Sequence, residues 1–131
     1  MEQDFIMRAI RQFIRTMAKA LGLIERKEFT SAQQILDSEL ERLTGLSVSD
    51  MKNMAPQSLG FLIQINRDDY QKLIIADVLF HKSLACDGQE NHVESNLFRE
   101  TAKILFDSIA KEFSEDDYSS LKQKLSEYLA H

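Results

Sequence analysis

The stretch ALGLIERKEFTSAQQILDSELERL, residues Ala20 to Leu43, holds the end of one apolar-periodic segment, a turn, and the start of a second. Before the turn, Ile6, Ile10, Phe13, Met17 and Leu21 recur at spacings of three and four, which lines one face of a helix. Gly22 follows, where a glycine is expected to end or bend that helix. After the turn, Thr30 reads as an N-cap with Gln33 as its capping-box partner. Ala32, Ile35, Leu36, Leu40 and Leu43 then repeat the helical spacing, and Gly45 falls where a left-handed C′ residue belongs. The stretch is therefore the turn of a helical hairpin.

Outward from that hairpin, 131 residues read as one all-α domain of about five main helices and two short ones. Hairpin one covers about 4–44, with Asp4 as its N-cap. Two short helices bridge about 47–65, the first capped by Ser47 over Val48 to Met54 and the second carrying Pro56 in its first turn. Hairpin two covers about 66–113: Asn66 caps a helix reaching Ala85 or Cys86, Asp87-Gly88 turns the chain, and Asn91 with Glu94 opens a long helix from Val93 to Phe113. Ser114 caps a last helix over about 114–130, whose Tyr118, Leu121, Leu125, Tyr128 and Leu129 make one inward stripe; His131 is expected to fray beyond it. That last helix is expected to cap the array, as terminal helices do in solenoids.

Lys27-Glu28-Phe29 followed by Ala32 and Leu36 resembles the turn and second helix of a tetratricopeptide repeat, and Ala20 falls where the repeat keeps a small residue in its first helix. Lys27 stands where the repeat usually has glycine, and Lys19 where it has leucine. More broadly, Asp4-Phe5-Ile6 with Arg8 and Ile10, then Ala18 to Leu23, the hairpin, and Gly45-Leu46 resemble a family of small all-helical bacterial proteins of unknown function, the first half well and the second loosely. The resemblance implies antiparallel hairpins in a tetratricopeptide-like right-handed array or bundle. It implies no activity, since the family has none assigned.

Apolar residues make up 44% of the chain and charged residues 28%, with four Gly and one Pro, a composition that suits a compact helical protein. Net charge is −5, yet up to Lys27 there are six Lys or Arg against three Asp or Glu, and afterwards ten against eighteen. An acidic body argues against general nucleic-acid binding, whose affinity rests on neutralising phosphates. No apolar run reaches the roughly 18 residues that span a bilayer, and Arg8, Arg11 and Arg15 interrupt the place where a signal peptide's apolar region would lie. A cytoplasmic location is expected, which the single Cys86 suits.

Three groups of side chains stand out as candidates. Arg8, Arg11, Arg15 and Lys19 fall within about 80° of one another opposite the apolar stripe, a basic face suited to an acidic partner or an anionic membrane, though a solvated outer face is the ordinary reading of such a run. Asp77 and His81 lie one turn apart inside the apolar arc of the third main helix, where the common outcome is a structurally paired couple and the rarer ones are a pH-sensitive or ligand site, or two ligands of a metal. Cys86 and His92 flank a turn with Asp87 and Glu90, but their spacing matches no standard zinc pattern. With no phosphate loop, nucleophile elbow or metalloprotease pattern in the chain, the expectation is a non-catalytic protein-interaction or scaffold module, with no cofactor and no catalytic or metal residue. Its partner would be another protein or a second copy of the chain. The alternatives are a small-molecule- or metal-responsive protein using Asp77 and His81, or a peripheral membrane protein attached by its first helix.

Overall fold

The computed structural model describes residues 2–130, with side chains from Asp4 onward; Met1 and His131 lie outside it. Over that range the chain is all-helical: α1 (Glu2–Glu25), α2 (Phe29–Thr44), α3 (Val48–Met51), α4 (Pro56–Gln64), α5 (Asp69–Gly88), α6 (His92–Asp107) and α7 (Asp116–Leu129).

Helix α5 is the centre. Every residue from Leu73 to Ser83 is buried, because apolar side chains fall on most of its sides and four other helices can cover them. It packs against α6 most extensively, and against α2, α1 and α7, while α4 covers α6. The core runs unbroken through Ile10, Phe13, Leu36, Leu40, Leu73, Leu79, Phe98, Leu105 and Leu125. Each such Leu, Ile or Phe contributes about 1.5–3 kcal/mol by leaving water.

Both hairpins turn in the same way. At the end of α1, Glu28 N–H donates to Leu23 O and Lys27 N–H to Ile24 O; at the end of α5, Asn91 N–H donates to Cys86 O and Glu90 N–H to Asp87 O. This is the paired bonding of a Schellman ending. Its left-handed position, where glycine is favoured, is held by Lys27 and by Glu90, each at φ 61°.

Several helix ends fall where local chemistry puts them. Gly45 is left-handed at φ 72° with its N–H on Glu41 O, Ser47 accepts the N–H of Asp50, Pro56 opens α4, and Asn91 accepts the N–H of Glu94.

Others depart from expectation for tertiary reasons. Helix α1 begins at Glu2, ahead of Asp4, and continues through Gly22 to Glu25. Thr30 and Gln33 form no capping box: α2 starts at Phe29 with no side-chain cap, and both side chains are drawn instead toward α5. Asp68, not Asn66, caps α5 in a capping box with Gln71, and Asn66 sits in the preceding turn at φ 61°. Helix α5 runs on through Asp87-Gly88, and the Phe29 ring lies over Gly88 where a Cβ would meet its carbons at 2.3 Å. Helix α3 stops at Met51, short of Met54. Helix α6 stops at Asp107, six residues before Phe113. There Lys111 N–H donates to Asp69 of α5, and Phe113 packs against the Tyr70 and Tyr118 rings, which also touch each other. Helix α7 is preceded by Glu115, with no side-chain cap from Ser114.

Candidate functional site

Arg8, Arg11, Arg15 and Lys19 form an exposed ridge along α1. Arg11 Nε donates to Met7 O at 3.1 Å. Among the described residues, none of the four pairs with a carboxylate within 4.0 Å. Because the ridge stands opposite the buried stripe, a cleft opens on each of its flanks.

The first cleft lies between α1, α2 and the start of α5. It has a volume of about 380 Å³, and Phe5, Arg8, Phe13, Arg42, Leu43 and Ile74 are among its lining residues. Phe5 is 71% exposed, so its ring borders the cleft without filling it. Arg42 is held by Glu39 at 2.7 Å, whereas Arg8 is free to reach outward. Glu39 is buried, with one carboxylate oxygen on Arg42 and the other without a partner among the described residues.

The second cleft lies between α1 and α7, with α5 as its floor. Its volume is about 230 Å³, and Asp77 and His81 line it together with Phe13, Ile14, Met17, Ala18, Leu21, Leu121, Lys124 and Tyr128. The structure therefore brings Asp77 and His81 together, both buried, at 3.5 Å between carboxylate and Nδ1. The closer contact of His81 is with the backbone: Nδ1 lies 2.8 Å from Asp77 O. Rings brace the imidazole, with Phe80 edge-on at 5.3 Å and Tyr128 stacked on Phe80. Burial pushes the Asp77 carboxyl above its ordinary range, and nearby His81 and Lys124 pull it partly back.

A third cluster went unread in the sequence. Lys82 is 1% exposed, yet its Nζ donates to Asp37 and to Gln33, both on α2, and lies 4.9 Å from the centre of the Phe98 ring. Gln33 also donates to Cys86 Sγ at 3.3 Å and to Gln89, whose own amide donates to Thr30. The signal was present: Lys82 falls on the stripe of Ile75, Leu79 and Cys86, all fully buried, so its ammonium needs an anion from a facing helix.

Cys86 and His92 do not form a working pair. The thiol is buried beside Gln33, and burial raises its pKa, which keeps it protonated. His92 is exposed and shares a 3.0 Å contact with Asp87. Among the described residues no three His, Cys, Asp or Glu side chains converge as a metal would require, and no helix is long and apolar enough to cross a membrane. Comparison with protein-family models, curated proteins and solved structures returns no match. The chain's own geometry carries the functional reading.

Proposed function

We propose that this chain is a non-catalytic protein-interaction module of tetratricopeptide-like build, working in the cytoplasm and binding an acidic, amphipathic segment of another protein. The observation that carries this reading is the cleft of about 380 Å³ with unpaired Arg8 on its lip and half-used Phe5 at its edge. An apolar side chain of the partner enters against Phe5, Phe13 and Ile74, and its flanking carboxylates meet Arg8 and then Arg11 and Arg15 one and two turns along. The acidic remainder of the chain repels a negative partner everywhere else, so the ridge also orients the encounter. The two hairpins, each turned by a left-handed residue and each laid along α5, support the tetratricopeptide-like build.

The test is a bait carrying Glu at Arg8, Arg11, Arg15 and Lys19 beside the unaltered protein, in capture from nuclease-treated lysate followed by binding of the captured protein in purified form. A partner that binds through an acidic segment and loses at least about tenfold in affinity to the reversed bait supports the reading. Equal binding to both baits removes the ridge from it. Flotation with anionic vesicles, lost on reversal, would assign the ridge to a membrane surface instead, and self-association that survives dilution would assign it to a second copy of the chain.

A further inference from the structure

The cleft on the other flank of the ridge is a different kind of place, and what it offers does not depend on the partner reading. Its walls are largely apolar: Ile14, Met17 and Leu21 from α1, and Leu121 from α7 beside Tyr128 and Lys124. On its floor lies Asp77, 4% exposed, whose carboxylate receives no hydrogen bond from any described residue and has the His81 ring at 3.5 Å, with Lys124 among the lining residues. Burying that carboxylate costs stability, and His81 and Lys124 offset the cost only in part.

The chemistry of the floor defines what would offset the rest. His81 Nδ1 faces the carbonyl oxygen of Asp77 at 2.8 Å. A carbonyl can only accept, so Nδ1 carries a proton toward it. The Asp77 carboxylate, when ionised, is acceptor-only. A floor that ends in a carboxylate, inside largely apolar walls, asks for a ligand that brings N–H donors and a positive charge on an apolar body. We propose that this cavity binds a small apolar monoamine, of which an arylalkylamine is the type, with its ammonium group on Asp77 and its ring between α1 and α7.

Two further features narrow the class. The volume of about 230 Å³ lies below the range of roughly 300–1,000 Å³ that holds drug-sized ligands, which suits a molecule of about ten non-hydrogen atoms. Lys124, exposed among the lining residues on α7, opposes a second positive charge and so disfavours di- and polyamines. A carboxylate of the same shape could meet Lys124 but would set its charge against that of Asp77 on the floor. With only Asp77 and His81 as possible ligands among the described residues, a metal is not served there.

The experiment uses the whole chain and 2-phenylethylamine as probe, with phenylacetate and 1,4-diaminobutane as matched controls, followed by methyl NMR at Met17, Ala18 and Leu121 and by calorimetry. Saturable shifts at these methyls are expected with a Kd of about 0.1–1 mM, with each control at least about tenfold weaker. Asp77→Asn should weaken the amine at least about tenfold, the scale of one charge-assisted contact. Binding should also fade as pH drops and Asp77 takes up a proton: the groups facing it are His81 from α5 and Lys124 from α7, and the α1 lining contributes none. Should Asp77→Asn lose its helical signal, Ala18→Leu decides instead, because Ala18 is an exposed wall position whose enlargement narrows the cavity without touching the floor. Absence of shifts up to about 10 mM amine, equal binding of phenylacetate, or undiminished binding by the folded variant overturns the proposal.

Discussion

Lys82 and Asp77 are both buried on α5, five residues apart, and the fold treats them in opposite ways. Lys82 lies between α5 and α2 and is answered three times, by Asp37, by Gln33 and by the face of Phe98. Asp77 lies under the gap between α1 and α7, receives no hydrogen bond from the described residues, and borders a cavity. A buried charge whose partners are all supplied by the chain holds helices in register. One that is only partly answered, beside open space, is available to something from outside the chain.

The strongest way to break this contrast is to remove the anion from the satisfied side. Asp37→Ala strands the Lys82 ammonium and should destabilise by about 3 kcal/mol, the lower end for a broken buried pair because Asp37 is a third exposed and water can partly replace it. Lys82→Met should cost clearly less, since Asp37 can then turn to solvent. Urea unfolding of the two variants checks the order, and a cost under about 1 kcal/mol for Asp37→Ala would mean that Lys82 is not held as described.

Next in size is the end of the same interface. Gly88→Ala puts a Cβ against the Phe29 ring at 2.3 Å and should destabilise by about 2 kcal/mol through displacement of that ring. The double variant with Phe29→Ala should recover part of the loss; strictly additive losses in thermal unfolding would place the strain elsewhere.

On the unsatisfied side the sign reverses. The folded-state pKa of Asp77 is raised above its unfolded value, so its charge costs stability above the folded pKa, and that cost disappears as pH falls toward the unfolded value. Asp77→Asn should therefore unfold at higher temperature than the unaltered protein at pH 7, and the two should converge below about pH 4. A lower melting temperature at pH 7 would show that Asp77 is paid for within the fold after all.

The smallest effect belongs to neither region and calibrates both. Lys27 at φ 61° accepts a left-handed backbone that favours glycine, so Lys27→Gly should stabilise by up to about 1 kcal/mol after the glycine's extra unfolded-state entropy is deducted. Chemical denaturation measures this directly.

Much of the fold was legible because it is local. The three-and-four spacing over Ile6 to Leu21 and over Ala32 to Leu43, the left-handed Gly45, the Ser47 and Asn91 caps and the Pro56 start each depend on a few neighbouring residues, and each stands where the sequence puts it. The burial of Asp77 and His81 was legible too, from their place within an apolar arc. Thr30 and Gln33 show the limit: they have the spacing of a capping box, but partners on α5 compete for the same side chains and win. Phe113 shows it again, for its helical spacing from Ile109 is satisfied by rings of α5 and α7 and needs no continuous helix.

What the sequence by itself determined is therefore an all-α chain of hairpins with a basic ridge on its first helix, because apolar periodicity, caps and charge placement act within one or two turns. The tertiary structure decided which polar groups inside α5 are answered. Lys82 meets Asp37 across 45 residues of chain. Asp77 meets a cavity, because α1 and α7 reach α5 on either side of it. Both outcomes depend on how helices distant in sequence approach one another, a distance that no local pattern encodes.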